Sequence, residues 1–256
     1  MIKLKTAKQI EILREGGRRL AAILRQVAAA VAPGVTPLAL DTLARELIKK
    51  NGGGDRPSFL GYQPAGAPRP YPTALCVSVN NAVVHGLPDD RALQDGDIIG
   101  LDLGLEHGGL FTDMAVTVGV GKIAPELKQL LAQTERALAA GIKRVRAGNT
   151  LGDIGAAVST VAKSHGYGVV RELAGHGVGL AVHEEPEVPN FGKAGTGLKL
   201  KAGMVIAIEP MFNLGTEKVI FMDDGYTVLT ADAKPSAHFE HTVLVTDRGA
   251  EVLTKE

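Results

Sequence analysis

Ile98-Ile99-Gly100-Leu101-Asp102-Leu103-Gly104-Leu105, then Glu106-His107-Gly108-Gly109 and the run 110–118, reads as a β-hairpin with a carboxylate on each strand. Side chains alternate across a strand, so Leu101, Leu103 and Leu105 point one way and Asp102, with a glycine two residues to either side, points the other. If His107-Gly108 form a two-residue loop, Asp102 stands directly opposite Asp113, with their Cβ atoms ~5 Å apart. Two like charges in that relation destabilise a sheet, and near-buried carboxylates cost several kcal/mol each unless compensated. Either one keeps its proton or a cation sits between them. The glycines beside Asp102 leave room on that face, which favours the cation.

More acceptors lie further along the chain. Glu209 closes the apolar run 204–208, Glu240 sits within the strand-like 239–245, and His176 lies in Gly175-His176-Gly177-Val178-Gly179. The small neighbours of His176 would let the backbone approach a ligand closely. Taken singly, an Asp in a strand is an edge residue facing water and a lone His is structural. Taken together, four carboxylates and an imidazole form an oxygen-rich set suited to divalent Mn, Fe, Co or Zn. Two such ions ~3.5–4 Å apart are a recurrent arrangement for amide hydrolysis.

Outward from the hairpin the chain repeats its plan. Thr6 with Gln9 opens a helix by a capping box, and Ile10, Leu13, Leu20, Ile23, Leu24 and Val27 recur at helical spacing up to Pro33-Gly34. Thr36-Pro37 opens a second helix carrying Leu40, Leu43, Leu47 and Ile48, stopped by Asn51-Gly52. A third helix starts at Pro125 and is expected to end near Gly148; a fourth is capped by Thr150 with Asp153 and stops at His165-Gly166. Gly34/Gly148, Thr36/Thr150, Leu40/Ile154, Leu47/Val161 and Gly52/Gly166 share one offset of 114. Each helix pair precedes strand-like runs: 74–79, 98–105 and 110–118, then 204–208, 219–222 and 239–245. A fixed long period is an architectural signal; the alternative is a chance likeness of two ordinary helix pairs. The expected fold is α+β, one domain over 1–256 with pseudo-twofold halves at about 1–121 and 122–256, in which helices cover central antiparallel sheets. The Pro-rich stretch 63–70 reads as a loop.

Composition narrows the function. With 45% hydrophobic and 22% charged residues the chain reads as an ordinary globular protein. Lys+Arg and Asp+Glu balance at 28 each, which leaves no electrostatic footprint for nucleic acid or an acidic membrane. Cys76 is the sole cysteine, so no internal disulfide and no thiolate zinc cluster can form. The start, Met1-Ile2-Lys3-Leu4-Lys5, lacks an apolar signal core, and no apolar stretch approaches the ~18 residues of a membrane span. The expected compartment is the cytoplasm.

With these residues in place the chain resembles the type I methionine aminopeptidases, of the pita-bread metallohydrolase fold. The likeness runs through Asn80-Asn81-Ala82-Val83-Val84-His85-Gly86-Leu87-Pro88-Asp89-Asp90, Asp95-Gly96-Asp97-Ile98, Gly175-His176-Gly177-Val178-Gly179 with His183-Glu184, Ile208-Glu209-Pro210-Met211 and Phe239-Glu240-His241-Thr242. The His-Gly-Leu-Pro-Asp-Asp run points to methionine aminopeptidases; the Gly-His-Gly and Glu-Pro segments are shared with proline-cleaving relatives. The resemblance implies that Asp102, Asp113, His176, Glu209 and Glu240 hold two divalent ions, bridged by Asp113 and Glu240. It implies that Glu209 also accepts a proton from the attacking water. His183 would help stabilise the carbonyl oxygen, and His85 would position the scissile amide or help the leaving amine. The substrate's α-amine would lie near Asp102. Phe59, Tyr62, Tyr71, Cys76 and Tyr226 would line an apolar methionine slot, although Tyr62 and Tyr71 read equally as loop anchors and Cys76 as inert core.

The partners so implied are N-terminal methionine peptides and nascent chains, with a small second residue preferred and the ribosome as a further contact, for a monomer that engages neither membrane nor specific nucleic acid. The sequence departs from the family at several places. The loop between Tyr62 and Tyr71 is longer, Phe59 replaces a frequent cysteine, Tyr226 a frequent tryptophan, and His238 a frequent glutamine. Two other readings are a proline-specific peptidase of the same fold, which usually carries an extra N-terminal domain, and an inactive binding module, which would have broken ligands. His183-Glu184-Glu185-Pro186-Glu187 is no zinc-protease helix, since Pro186 interrupts it and the fifth position is not His. The glycines around His176 lack the Gly-Lys-Ser/Thr of a phosphate loop.

Overall fold

The computed structural model describes residues 2–64 and 66–255; residue 65, within the Pro-rich loop expected over 63–70, and the two terminal residues lie outside it. Helix α1 (Ala7–Ala29) begins with the expected capping box: Thr6 Oγ1 accepts from the Gln9 N–H at 3.3 Å, and the Gln9 side chain accepts from the Thr6 N–H at 2.9 Å. It stops at Ala30, a little before Pro33-Gly34. Helices α2 (Pro37–Asn51) and, later, α4 (Leu151–His165) are each capped by a threonine side chain and stopped by a glycine, and their bounds keep the offset of 114. Helix α3 (Pro125–Ile142) is the exception to expectation, for it ends well before Gly148. The chain turns there because its hydrogen bonds are taken elsewhere: the Asn149 amide donates to Arg144 O at 2.8 Å and the Ala147 N–H to Thr246 O at 3.1 Å.

The strands in chain order are β1 (Arg56–Pro57), β2 (Leu75–Val79), β3 (Ala82–Val84), β4 (Ile98–His107), β5 (Leu110–Gly119), β6 (Gly168–Val169), β7 (Gly175–Gly177) and β8 (Glu184–Val188). They continue as β9 (Val205–Ile208), β10 (Met211–Asn213), β11 (Val219–Phe221), β12 (Val228–Thr230), β13 (Ser236–His238), β14 (Glu240–Val245) and β15 (Ala250–Val252). Nine form one antiparallel sheet in the order β1-β4-β5-β14-β9-β7-β8, with β2 also on β4 and β15 also on β14. Two three-stranded sheets, β13-β10-β6 and β11-β12-β3, complete the structure. The first and second halves of the large sheet meet where β5 pairs with β14, through Ala115↔Glu240 and Met114↔His241.

One face of that sheet is covered by helices. Leu101, Leu103 and Leu105 pack with Leu20, Leu24 and Val27 of α1 and Leu40, Ala44 and Ile48 of α2, all fully or nearly fully buried. Ile206, Ile208, Val243 and Val245 pack in the same way with Leu130 and Leu138 of α3 and Ile154 and Val158 of α4. Each such side chain contributes roughly 1.5–3 kcal/mol of burial. Because strand residues alternate, committing these positions to the helices commits their neighbours Asp102, Glu240 and Ala207 to the other face. Among the described residues no helix is long and apolar enough to cross a membrane.

Candidate functional site

On the opposite face a transverse row runs across four strands: Cys76 beside Asp102, Asp102 beside Ala115, and Ala115 beside Glu240. Ala115 offers only a methyl group between the two carboxylates. One step past the last β14–β9 pair, His241↔Ile208, the chain brings Glu209 alongside Glu240. His176 of β7 comes next, since Gly177 pairs with Ile206.

The expected register of the hairpin is corrected here. Its turn is Gly108-Gly109, both with positive φ (56° and 78°), so His107 pairs with Leu110, Gly104 with Asp113, and Asp102 with Ala115. Two-residue hairpin loops of this kind need left-handed backbone at both central positions, which Gly-Gly adopts more cheaply than His-Gly. Asp102 and Asp113 are therefore diagonal neighbours instead of direct partners. A shift of two residues preserves the face, and, after burial, the charge of Asp102 still raises the pKa of Asp113.

The glycines also serve differently from expectation. A Cβ on Gly104 would fall 1.9 Å from Ser58 Oγ and 2.9 Å from Phe59 Cε1, so the room there is already filled by protein. At Gly175 and Gly177 a Cβ would strike Ala207 O at 2.4 Å and Glu185 O at 2.3 Å. These glycines let β7 lie tightly against its neighbouring backbone; they do not open space for a ligand.

Burial dominates the electrostatics. It pushes Asp102 up to about 7, with its bond to Asp113 pulling part-way back. Asp113 is driven well above the carboxylate range by burial and then by Asp102 and Glu209, Glu209 by burial and then Asp102, and Glu240 by burial and then Asp113. The histidines move the other way: burial lowers His176 to about 3 and His85 to about 4, each further depressed by His183, and lowers His183 itself. Asp102 Oδ1 and Glu240 Oε1 are buried with no hydrogen-bond partner among the described residues. His176 Nδ1 lies 2.9 Å from Gly177 O, which only accepts, so Nδ1 carries the proton and Nε2 presents its lone pair, 3.5 Å from Glu209 Oε1. Asp113, His176 and Glu240 each offer a ligand atom within 4.8 Å of the others. Crowded anions, unpartnered oxygens and a free imidazole nitrogen together fit a divalent cation, which would relieve all three costs.

These residues form the floor of a cleft with about 570 Å³ of empty space. Phe59, Tyr62, Tyr71, Cys76 and Tyr226 line it beside the acids, with His85 and His183, so the cleft brings together all twelve candidate site residues. Tyr71 is buried; its hydroxyl donates to Gly86 O at 2.9 Å and its ring meets Tyr226 edge-on at 4.9 Å between centroids. The Tyr226 hydroxyl bonds to Arg69 O. Burial raises the Cys76 thiol and keeps it neutral. His183 is held at Nδ1 by the Tyr62 hydroxyl, 2.9 Å away, and packs edge-on to His176. His85 has φ of 58°, a left-handed conformation uncommon outside glycine that concentrates at functional positions.

Several supporting residues carry no sequence signal that singles them out. Pro64 joins the cleft wall. Thr242 Oγ1 accepts from the Asp113 N–H at 2.9 Å and donates to Asp113 O at 2.8 Å, clasping the seam between β5 and β14. The Asn190 amide donates to Glu209 O at 3.0 Å. Lys5 Nζ pairs with Glu184 Oε2 at 2.7 Å, and Glu184 Oε1 accepts from the N–H groups of Leu180 and Ala181, bracing the turn that presents His183. The segment 184–188 is strand β8, in agreement with the rejection of a zinc-protease helix.

The profile of metallopeptidase family M24 matches residues 11–247. The chain is 44% identical over 254 residues to the methionine aminopeptidase of Clostridium perfringens, covering 99% of each chain. It is 41% identical over 255 residues to methionine aminopeptidase 1 of Bacillus subtilis, covering both completely. The crystal structure of methionine aminopeptidase from Thermotoga maritima superposes with a TM-score of 0.95 at 42% identity, again over the whole of both chains.

Proposed function

The chain belongs to metallopeptidase family M24, has the pita-bread fold and removes N-terminal methionine from peptides, and from that premise we propose that it works through two divalent ions, Mn, Fe, Co or Zn, held by Asp102, Asp113, His176, Glu209 and Glu240. The observation that carries this reading is the convergence of four mutually repelling carboxyl groups, Asp113 and Glu240 buried and Asp102 and Glu209 largely so, on one imidazole with a free Nε2. Asp113 and Glu240 meet at the β5–β14 seam, where each would serve as a ligand.

Divalent ions bound there would acidify water and polarise the methionyl carbonyl. Glu209 takes the proton of the attacking water and passes it toward the leaving nitrogen. His183, with Nδ1 engaged by Tyr62, directs Nε2 at the carbonyl oxygen where negative charge develops. His85, which also lines the cleft, positions the scissile amide. Asp102 Oδ1, unpartnered and buried, faces the substrate's free α-amine, which restricts cleavage to chain ends. The methionine side chain fills the slot of Phe59, Tyr62, Tyr71, Cys76 and Tyr226, and the histidines crowd the position after it, favouring a small second residue. Residues 1–256 act as one catalytic domain, a cytoplasmic monomer that meets nascent chains at the ribosome.

The test is hydrolysis of Met-Ala-Ser with Mn(II) or Co(II). Release of free methionine, abolished by chelator, is expected. Release without metal sinks the metal reading, and preferential cleavage of Ala-Pro peptides would favour the proline-specific alternative.

A further inference from the structure

His238 closes β13, paired with Met211 of β10 on a different sheet from the acids, yet its ring reaches the site. It is 4% exposed, and its Nε2 is buried without a hydrogen-bond partner among the described residues. Its backbone is fully engaged: the N–H donates to Thr117 Oγ1 at 2.9 Å, and the carbonyl accepts from the same hydroxyl at 2.7 Å. The ring thus sits on a fixed support. Its nearest charged acceptor is Glu209 Oε2, 3.7 Å from Nε2, while the other oxygen of that carboxylate faces His176 Nε2 at 3.5 Å. A separation of 3.7 Å is not yet a hydrogen bond. Closing it takes well under 1 Å, within the reach of a carboxylate rotation, and an imidazole nitrogen left unpaired at this depth is costly.

We propose that His238 is a positioning residue for Glu209: its Nε2–H donates to Oε2 and fixes the rotation of the carboxylate, so that Oε1 is presented to the metal centre beside His176. This rests on the reading that Glu209 is a metal ligand. The imidazole here supplies one N–H from a buried support, and a glutamine amide at the same position can supply another. Leucine fills similar volume and supplies none. Partners that orient a ligand in this way are typically worth 10–100-fold in metal affinity.

The experiment compares wild type, His238→Gln and His238→Leu by calorimetric titration of the metal-free proteins with Co(II) alone and by thermal unfolding in chelator. His238→Leu should bind Co(II) roughly 10–100-fold more weakly while its Tm in chelator stays equal or rises, because a buried unpaired polar group has been removed. His238→Gln should bind within about threefold of wild type, recovering the donor. Wild-type affinity in His238→Leu overturns the proposal, as does equal weakening in both variants, which would mean the ring itself is needed. Should His238→Leu fail to fold, His238→Gln decides alone: tenfold weaker binding by a folded protein refutes the role of a donor. Failure of wild type to bind Co(II) would instead defeat the metal reading itself, a separate result.

Discussion

Removing metal and raising pH should destabilise this protein through its buried acids. Asp102 is held at about 7 against an ordinary 3.8, and Asp113, Glu209 and Glu240 stand well above their ordinary range. A carboxyl group with a raised folded-state pKa binds more protons folded than unfolded, so its stabilising contribution is complete below the unfolded pKa and is lost as pH rises through the folded one. The histidines have lowered folded values and act in the opposite sense while their unfolded counterparts, with the ordinary value of 6.5, still lose protons, a process nearly complete by about pH 7.5. Above pH 7.5 the acids outweigh them.

Between pH 7.5 and 8.5 Asp102 itself gives up only about 0.1 kcal/mol, and Asp113, Glu209 and Glu240, raised further, supply the larger part, each limited to the about 1.4 kcal/mol that one pH unit allows. A loss of about 1 kcal/mol lowers Tm by roughly 2–4 °C for a chain of this size. Thermal unfolding in chelator at pH 7.5, 8.0 and 8.5 measures it directly. With saturating Mn(II) the trend should vanish or reverse, because binding requires deprotonated ligands and strengthens with pH. A metal-free Tm that is flat or rising from pH 7.5 to 8.5 would refute the reasoning, as would parallel curves with and without metal.

Other outcomes follow from the packing and the cleft. Lys5→Met leaves Glu184 without its buried partner and should cost about 3–5 kcal/mol in urea denaturation, lowering kcat through the His183 turn with Co(II) affinity unchanged. His183→Ala should reduce kcat about 10²–10³-fold and leave Co(II) binding near wild type, checked by calorimetry beside steady-state rates. Leu103→Ala, opening a cavity under α1 and α2, should cost about 2–5 kcal/mol of stability, and an effect below 0.5 kcal/mol would contradict the packing described.

What the sequence discloses follows the range of the interactions involved. Thr6 with Gln9, Thr36 with Pro37 and Thr150 with Asp153 act within one turn of chain, so the starts of three helices are legible, and the matched bounds of α2 and α4 were visible in the offset of 114. The end of α3 is set by bonds to the remote Thr246 segment and overrides the expectation of Gly148 as the stop. In the hairpin, choosing His107-Gly108 over Gly108-Gly109 displaced the register by two residues; the period of two in a strand kept both acids on one face, so the site survived the error. Of the two glycines beside Asp102, Gly104 is filled by Ser58 and Phe59 while Gly100 meets only ordinary contacts, and the close approach expected around His176 is to the backbone of Ala207 and Glu185, neighbours that reach those positions only through the fold. Lys5 and Glu184 lie 179 positions apart, and no local pattern joins them.

Crystals soaked in Mn(II) and measured for its anomalous signal give the most direct answer. We expect two peaks about 3.5–4 Å apart beside the row of acids, contacted by Asp113 and Glu240, with Asp102, His176 and Glu209 completing the ligand set. Strong peaks ligated by other side chains, with these five turned away from them, would contradict the account.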